Sequence, residues 1–295
     1  SGGQTRVLQN GEVIEKGACS FTLIRNGVLS AERAQTIRAR QQQNDTKVLL
    51  QAGDRYAASA LSMVLHSKSP HVPTFRSDVR VFLVESSSDH GSSSSSSAWM
   101  GGGADLTPYY LYQKDVRDFH NMYYNLCETY NMSYAELKQN CDDYFYLPAR
   151  QEHRGTGGIF FDDVEVTETS VNFCQQLTRT WMPSWLTIAE RRNKLPYTTL
   201  QKQWQKIRRG RYLEFNLLYD VRLNLFCSEI IFSYTPYSRR EVSNLVCKPP
   251  IHVSKVSWCR LHQKWPLFTI TALNPVVPKR NCWTFSRNLV RGLID

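Results

Sequence analysis

The sequence predicts an α/β protein of the α+β type, built on a mostly antiparallel sheet that helices cover. Three observations lead to this fold class. Asn-Gly pairs next to apolar stretches are typical of hairpins. Strand-like alternation and helix-like periodicity both recur along the chain. Hydrophobic residues make up 41% of the 295 residues, which is enough for a sizeable core. Because no apolar run approaches the ~18 residues that a membrane-spanning helix needs, we do not expect a transmembrane protein.

The N-terminal part is predicted to contain two hairpins and one helix. Asn10-Gly11 and Asn26-Gly27 each follow an apolar stretch, and Asn-Gly tolerates the positive φ angles of a tight turn. Ser30 is a predicted N-cap, because its hydroxyl can accept a hydrogen bond from the first turn of a helix. That helix is expected to end at Arg40, before a polar loop.

Two strands are predicted next, over residues 57–66 and 74–85, with prolines in the loop between them. Because side chains alternate along a strand, the first strand places Ser62 and His66 on one face. The second strand places three ionic side chains on one face: Arg76, Asp78 and Arg80. This spacing indicates either a polar site over the sheet or a solvated face.

A low-complexity segment and a glycine run follow. Residues 86–97 are rich in serine and are predicted to form a surface loop without chemistry. Residues 101–103 are all glycine, but no Gly-Lys-Ser/Thr follows them, so they do not form a phosphate-binding loop. We expect these glycines either to let the backbone approach another group closely or to make a turn.

Helices are predicted to dominate after residue 115. Residues 115–130 have an amphipathic pattern, and Ser133 with Glu136 forms a capping box for a second helix that reaches Tyr146. A short buried strand is expected over 157–161. Three helical stretches are predicted after it: 170–181, 184–193 and 198–207.

The last predicted element is a strand over residues 211–219, where apolar and polar side chains alternate. From Val221 onward the periodicity fades, prolines recur and acidic residues nearly vanish. No fold is predicted for residues 221–295.

The net charge of +10 is concentrated at the C-terminal end. Residues 221–295 carry a net charge of +8, and residues 1–220 only +2. The charge therefore says nothing about the ligand of the main domain. A nucleic-acid binder that acts through residues 221–295 is an alternative, but no Arg/Lys stripe or binding motif supports it. Salt-dependent retention on DNA would test that alternative.

The eight cysteines predict neither a zinc ribbon nor a disulfide scaffold. No two of them form a Cys-x-x-Cys pair. Their wide spacing fits reduced thiols, so we expect an intracellular protein.

Five motifs in a fixed order carry a resemblance that none carries alone. They are TRVL at 5–8 with EKG at 15–17, SPHVPT at 69–74, GGGADLTPYY at 101–110, CDDYFY at 141–146 with RGTGGIFFDD at 154–163, and RRGRYLEFNLLYD at 208–220. Together they resemble the oxygen-dependent coproporphyrinogen III oxidase family over about residues 2–220.

The resemblance implies a flat antiparallel sheet sandwiched between helical layers, with a tetrapyrrole over the sheet. It implies an enzyme of haem biosynthesis that uses O₂ to convert two propionates of coproporphyrinogen III to vinyl groups, giving protoporphyrinogen IX, CO₂ and H₂O₂. It implies no organic cofactor, a doubtful metal requirement and a homodimer. The expected compartment is the mitochondrial intermembrane space in a eukaryote and the cytoplasm in a bacterium.

The resemblance also assigns roles to individual residues. Asp105 and Arg80 match the catalytic positions. Asp105 would lie at the pyrrole nitrogens, where a carboxylate can accept an N–H proton. Arg80 would hold a propionate, because a guanidinium pairs bidentately with a carboxylate. The substrate-binding positions are Ser62, Asp78, Arg80 and Arg154. Read without the family, Ser62 is a core serine, Asp105 a loop-capping aspartate and Arg80 a surface arginine.

Two histidines match positions proposed as metal ligands in some bacterial members of the family. They are His66, on a predicted strand, and His120, on a predicted helix. The alternative is that both are hydrogen-bonded structural histidines, and no metal site is predicted.

Three positions depart from the family pattern. Arg76 stands where the family's proposed proton-donor histidine is expected, and an arginine cannot act as a general acid at neutral pH because its pKa exceeds ~12. Asp78 stands where an asparagine is expected and adds negative charge beside the substrate carboxylate, which Arg76 can neutralise. Ala149 replaces a histidine expected before Arg150.

Residues 221–295 are predicted to be a non-family basic tail. After Asp220 the family continues with an Arg-Gly pair, a Gly-Gly-Arg-type loop and strands that pair across the dimer, none of which is recognisable. We interpret these residues as translated non-coding sequence, such as a retained intron, and the family's leading helix is also expected to be missing. The alternatives to an active oxidase are therefore a catalytically impaired porphyrin-binding paralogue and a truncated isoform.

Overall fold

The structure, a computed structural model, describes three stretches of the chain: residues 1–42, 50–85 and 96–220. These residues form two units. The described residues of the larger unit come from 1–146 and 153–206, and those of the smaller unit come from 147–152 and 207–220.

An antiparallel sheet forms the centre of the larger unit. The described strands are β1 (Gly2–Gln9), β2 (Ile14–Val28), β3 (Arg55–Ser67), β4 (Thr74–Glu85), β5 (Ser96–Thr107), β6 (Tyr146–Leu147), β7 (Glu152–His153) and β8 (Gly157–Glu165). Six of them form one sheet in the order β1-β2-β3-β4-β5-β8, and every neighbouring pair is antiparallel. The predicted α+β fold class is confirmed, and the strands predicted at 57–66, 74–85 and 157–161 are parts of β3, β4 and β8.

The described helices are α1 (Ala31–Gln42), α2 (Gln113–Thr129), α3 (Tyr134–Tyr144), α4 (Glu168–Arg192) and α5 (Thr199–Leu218), and a 3-10 turn covers Pro148–Arg150. Two predicted caps are confirmed. The Ser30 hydroxyl accepts a hydrogen bond from the backbone N–H of Arg33 at 3.2 Å, and the Ser133 hydroxyl accepts one from the backbone N–H of Glu136 at 3.4 Å.

Helices α2 and α4 cover one face of the sheet. Phe75 and Val79 of β4 pack in one buried cluster with Phe119 of α2 and Trp185 of α4. The Phe75 and Phe119 rings meet edge to face with their centroids 6.2 Å apart. Each such side chain contributes about 1.5–3 kcal/mol through burial. Because side chains alternate along β4, its ionic residues point to the opposite face.

A second apolar cluster lies at one end of that opposite face. Ile37 of α1 packs there with Tyr56, Phe82 and Trp99 of the sheet. The Tyr56 and Phe82 rings stack with centroids 5.0 Å apart, and Phe82 and Trp99 are also 5.0 Å apart. Helix α1 therefore covers this end of the face. The charged side chains of β4 lie beside this cluster and do not belong to it.

The hairpin predicted at Asn26-Gly27 is wrong, because β2 continues through these residues to Val28. Asn26 has a φ of 55°, and the register with β3 shifts between Ile24 and Gly27. A Cβ on Gly27 would lie 2.4 Å from ring atoms of Tyr56. The Asn-Gly pair thus forms a bulge that makes room for an aromatic ring rather than a turn.

The strand predicted at 211–219 is also wrong, because α5 runs from Thr199 to Leu218. Tyr212 and Phe215 are buried at a helical spacing of three, whereas Leu217 is 51% exposed. Strand alternation would have placed Phe215 and Leu217 on one face. The segment satisfies both periodicities over a short window, and the buried positions follow the helical one.

Residues predicted as two helices, 170–181 and 184–193, form the single helix α4. Pro183 lies inside it. A proline removes one backbone hydrogen bond but does not always end a helix. The side chain of Ser184, the residue after the proline, donates to the carbonyl oxygen of Trp181 at 2.8 Å.

Part of the predicted serine-rich loop, residues 86–95, lies outside the described residues, and its last two residues belong to β5. The predicted tail at 221–295 also lies outside them. Within the described ranges, no helix combines the length and apolar character needed to cross a membrane.

Candidate active site

The register of the sheet assembles one charged surface, which we call the ionic face: the face of β4 that carries Arg76, Asp78 and Arg80. Their partners on β5 are Asp105, Gly103 and Gly101, in that order. Their partners on β3 are Val64, Ser62 and Ala60. Small side chains on both sides of β4 leave room above the sheet for a flat ligand.

Arginines and aspartates alternate along this face. Asp78 lies between two guanidinium groups, with 2.7 Å from its Oδ1 to Nη2 of Arg76 and 2.7 Å from its Oδ2 to Nη1 of Arg80. Nη2 of Arg80 lies 2.8 Å from Oδ1 of Asp162. At the other end, Nη1 of Arg76 lies 3.8 Å from Oδ1 of Asp105. Each aspartate therefore faces at least one guanidinium group.

A buried arginine, Arg154, holds the carboxylate of Asp105 in place. Nη2 of Arg154 donates a hydrogen bond of 2.6 Å to Oδ2 of Asp105, and the two residues are only 1% and 2% exposed. Oδ1 of Asp105 accepts no hydrogen bond. A buried acceptor without a donor costs about 1–3 kcal/mol. This oxygen is therefore the natural acceptor for an N–H group of a ligand.

Arg154 completes a six-residue set, which we call the ionic chain: Arg154, Asp105, Arg76, Asp78, Arg80 and Asp162. Three positive and three negative side chains make the ionic chain neutral as a whole. Burial disfavours the charged guanidinium of Arg80, but the carboxylates of Asp78 and Asp162 outweigh this effect and raise its pKa above the ordinary value. Arg80 is thus a permanent cation on this face.

A β-bulge lies directly beside Asp162, the second carboxylate partner of Arg80. The pairing of β5 with β8 shifts register, so that Gly101 faces two residues, Asp162 and Asp163, instead of one. Asp163 takes a left-handed φ of 55°, and its backbone N–H donates to Oδ1 of Asp162 at 3.0 Å. Bulges of this kind re-aim side chains and are frequent beside active sites.

Aromatic rings border the ionic chain. The guanidinium carbon of Arg154 lies 3.8 Å from the ring centroid of Phe145, and that of Arg76 lies 5.5 Å from the same centroid. Phe160 of β8 stacks on Tyr144 with centroids 4.6 Å apart. These rings fix the guanidinium groups through cation–π contacts and add apolar surface at the edge of the face.

Ser62 is exposed on the ionic face, directly opposite Asp78 in the register. On its other side it faces Ser20 of β2, whose hydroxyl lies 3.0 Å from that of Thr5. A row of small polar side chains therefore leads from Asp78 toward edge strand β1. This placement brings Ser62 next to Asp78, another of the predicted substrate-binding residues.

The two candidate metal-ligating histidines belong to different elements. Nδ1 of His66, on β3, lies 3.0 Å from the Thr74 hydroxyl. Nδ1 of His120, on α2, lies 2.7 Å from the Tyr134 hydroxyl, and burial, followed by the charge of Lys138, lowers its pKa to about 4. In the described part of the chain, no group of three or more His, Cys, Asp or Glu side chains could hold a metal ion. Whether the protein needs a metal stays a prediction.

Ala149 lies in the 3-10 turn of the smaller unit. Nε of the next residue, Arg150, donates to Oε1 of Glu214 at 3.0 Å within that unit. A methyl side chain has no proton to donate, so Ala149 supplies no acid at this position.

Three residues of the site were not found by sequence reasoning. Asp162 was missed because its contact with Arg80 depends on how β5 pairs with β8, which the pattern of β8 alone does not show. Phe145 and Phe160 were missed because nothing in the sequence alone shows which rings lie over arginines. The alternation of acidic and basic residues on β4 was the one local signal for the network.

Comparison with known proteins shows the family of this chain. A family model described as coproporphyrinogen III oxidase matches residues 1–227. The oxygen-dependent coproporphyrinogen-III oxidase of Drosophila melanogaster is 36% identical over 267 residues, which cover 89% of this chain and 63% of that protein. The mitochondrial human enzyme of that name is 39% identical over 245 residues, covering 81% and 50%. The chloroplastic one from Glycine max is 38% identical over 222 residues, covering 74% and 56%.

The extent of these matches bears on the domain organisation. The chain spans between 50% and 63% of the length of these relatives. The Drosophila match covers more of the chain than residues 1–220 and so extends into 221–295, and the domain boundary at Asp220 stays a prediction. Because the family model covers most of the 295 residues, the chain belongs to the coproporphyrinogen III oxidase family.

Proposed function

We propose that this chain carries out the oxygen-dependent oxidative decarboxylation of two propionates of coproporphyrinogen III, giving protoporphyrinogen IX in haem biosynthesis. The relatives named above are oxygen-dependent coproporphyrinogen-III oxidases. The ionic face offers what a tetrapyrrole with four carboxylates needs: a cation for a propionate, an acceptor for pyrrole N–H groups and a floor of small side chains.

The observation that carries the proposal is the free oxygen of Asp105. Its Oδ1 is buried and accepts no hydrogen bond, while its Oδ2 is fixed by Arg154. A pyrrole N–H above the sheet would supply the missing donor, and the neighbouring guanidinium of Arg76 keeps the carboxylate charge compensated. Arg154 acts in this arrangement as a positioning residue for Asp105 as well as a predicted substrate ligand.

Each decarboxylation balances as R–CH₂–CH₂–COOH + O₂ → R–CH=CH₂ + CO₂ + H₂O₂. Two electrons and two hydrogens leave the propionate side chain, and O₂ takes up both. The protein would hold one propionate at Arg80 by charge-assisted hydrogen bonds and orient the macrocycle through Asp105. We propose that O₂ is the oxidant and that no organic cofactor is required, and the need for a metal is doubtful. Unchanged turnover after dialysis against a chelator would support this.

The proton chemistry of this chain differs from the family pattern. Arg76 pairs with Asp78 and keeps its proton at neutral pH. Any proton delivered during turnover must therefore come from another group or from water. This observation favours a second candidate function, a catalytically impaired porphyrin-binding paralogue or truncated isoform that binds the tetrapyrrole on the same face.

We further propose that the chain forms a homodimer, as the family resemblance implies. Edge strand β1 is exposed at all eight of its positions, which makes it available for pairing with another chain. Light scattering after size-exclusion chromatography would test this. One named relative is mitochondrial and one is chloroplastic. The proposed compartment is the mitochondrial intermembrane space if the source is eukaryotic and the cytoplasm if it is bacterial.

The proposed function is tested by incubating the purified full chain with coproporphyrinogen III in air and following protoporphyrin fluorescence after oxidation. The wild-type protein should exceed an enzyme-free control. Asp105→Asn should lower turnover at least about 100-fold, because an amide cannot accept a pyrrole proton. Asp143→Asn, at an exposed aspartate of α3, removes one carboxylate away from the ionic face and should leave turnover unchanged.

The outcomes separate the two candidate functions when thermal melting is measured on the same samples. Turnover by the wild type and its loss in folded Asp105→Asn support the oxidase. No turnover from wild-type protein that melts cooperatively and binds coproporphyrin supports the binding-only paralogue. Equal turnover in folded wild type and Asp105→Asn contradicts the role of Asp105.

A further inference from the structure

Asp78 occupies the position where a substrate carboxylate should bind. Its two oxygens lie 2.7 Å from Arg76 and 2.7 Å from Arg80, and its side chain is only 10% exposed. A carboxylate between two guanidinium groups is the arrangement that a bound propionate would create. The protein therefore already holds an internal carboxylate at the proposed propionate site.

Both terminal nitrogens of Arg80 are occupied in this way. Nη1 contacts Asp78 at 2.7 Å, and Nη2 contacts Asp162 at 2.8 Å. An incoming carboxylate that pairs with both terminal nitrogens of this planar edge competes with these partners. The site consequently exchanges one carboxylate for another when it binds its ligand.

The two internal carboxylates differ in what holds them. Asp162 is fixed by the backbone N–H of Asp163 at 3.0 Å, and it lies in a gap that exists because Gly101 has no Cβ. Asp78 keeps a second guanidinium, that of Arg76, when it leaves Arg80. Removing one partner from a buried charge is costly unless another partner remains. Asp78 is therefore the carboxylate that can be displaced with its charge still compensated.

We propose that Asp78 is an internal competitor for the substrate carboxylate at Arg80, and that Arg76 holds Asp78 when the ligand displaces it. This inference rests on the proposed function, since the ligand is a carboxylate of the tetrapyrrole. Asp78 and Arg76 together then set the affinity of the site, Asp78 by competing and Arg76 by reducing that competition. Asp162 stays on Arg80 and keeps its guanidinium oriented.

The first test compares the binding of coproporphyrin III, the air-stable oxidised form, to the full-length wild type and to Asp78→Asn by fluorescence titration. An amide has nearly the same shape but no charge, so it competes less for Arg80. The dissociation constant of Asp78→Asn should fall about tenfold. Asp143→Asn is the matched control and should leave it unchanged. An unchanged or higher dissociation constant in folded Asp78→Asn overturns the proposal.

The second test uses Arg76→Gln, which removes the Arg76 guanidinium from Asp78 and leaves the contact of Asp78 with Arg80. Asp78 then resists displacement, and the dissociation constant should rise about tenfold. In Asp78→Asn/Arg76→Gln, the arginine substitution should have less than about a twofold effect relative to Asp78→Asn, because Arg76 acts through Asp78. An equal loss of affinity in both backgrounds would show that Arg76 binds the ligand itself, which contradicts the proposal.

The design separates this inference from the proposed function. Wild-type protein that neither binds coproporphyrin nor turns over coproporphyrinogen contradicts the proposed function. Wild-type binding that responds to these variants in the opposite direction contradicts only the inference. If Asp78→Asn does not melt cooperatively, Arg76→Gln still keeps the proposal falsifiable, since unchanged or tighter binding in that variant overturns it.

Discussion

At the scale of single residues, glycine shapes the ionic face as much as charge does. A Cβ on Gly101 would lie 2.6 Å from both Nη2 of Arg80 and Oδ1 of Asp162. Contacts this close are not tolerated, so the missing side chain creates the space in which this ion pair forms. The sequence left two roles open for the glycine run, close approach of another group or a turn. At Gly101 the structure shows close approach.

Gly101→Ala should therefore weaken ligand binding more than it weakens the fold. The clashing atoms are the ends of two side chains, which can move, and the displaced guanidinium would no longer present its edge to a carboxylate. We expect the dissociation constant for coproporphyrin III to rise about tenfold in a titration. Gly2→Ala, which introduces a Cβ into open space on β1, is the control. Equal affinity in both variants would contradict this account of Gly101.

The site residues that could be predicted from the sequence are those placed by strand alternation or matched by family motifs. The shared face of Arg76, Asp78 and Arg80 follows from alternation along one strand. The closeness of Asp105 and Arg154 does not, because 49 positions separate them and the contact depends on how β5 and β8 pair. The contact of Asp162 with Arg80 also depends on the pairing of β5 with β8, which a single sequence does not show.

At the scale of elements, the core on the other side of β4 includes Phe119 of α2, which meets Phe75 of β4 edge to face. Phe119 is fully buried between these elements. The same strand carries the core on one side and the charged site on the other, so a change in the core can reach the site through the strand. The helix was recognisable in advance because its apolar residues recur at helical spacing over 16 positions.

Phe119→Ala should lower the free energy of unfolding by about 3–5 kcal/mol, because it removes a buried ring and leaves a cavity. Urea denaturation followed by tryptophan fluorescence would measure this. Leu111→Ala, at a residue that is 73% exposed, should stay within about 0.5 kcal/mol of the wild type. A loss of similar size in both variants would contradict the assigned core.

Helix α5 shows the limit of local patterns. Residues 211–219 alternate like a strand. Within the smaller unit, however, the buried Glu214 carboxylate accepts hydrogen bonds from Nε of Arg150 at 3.0 Å and from Nη1 of Arg211 at 3.1 Å. The Arg211 contact joins residues three apart, a spacing that suits a helix. The contact with Arg150, 64 residues away in the sequence, is one that residues 211–219 alone cannot reveal. A short window therefore does not decide between strand alternation and helical spacing.

At the scale of the whole molecule, the larger unit contains every member of the ionic chain. The six residues come from β4, β5, β8 and the segment before β8, and their charges cancel. The strongly basic residues 221–295 contribute none of them. The net charge of +10 is therefore a poor guide to this site, and its chemistry follows from the pairing of three strands.

The central claim is that the tetrapyrrole lies on the ionic face, and a crystal structure of the full chain with coproporphyrin III tests it most directly. The account predicts the macrocycle over β3, β4 and β5, with a ring nitrogen within about 3.2 Å of Oδ1 of Asp105. It also predicts a propionate on Arg80 in place of Asp78. A macrocycle bound elsewhere, with the ionic chain unchanged, would contradict the account.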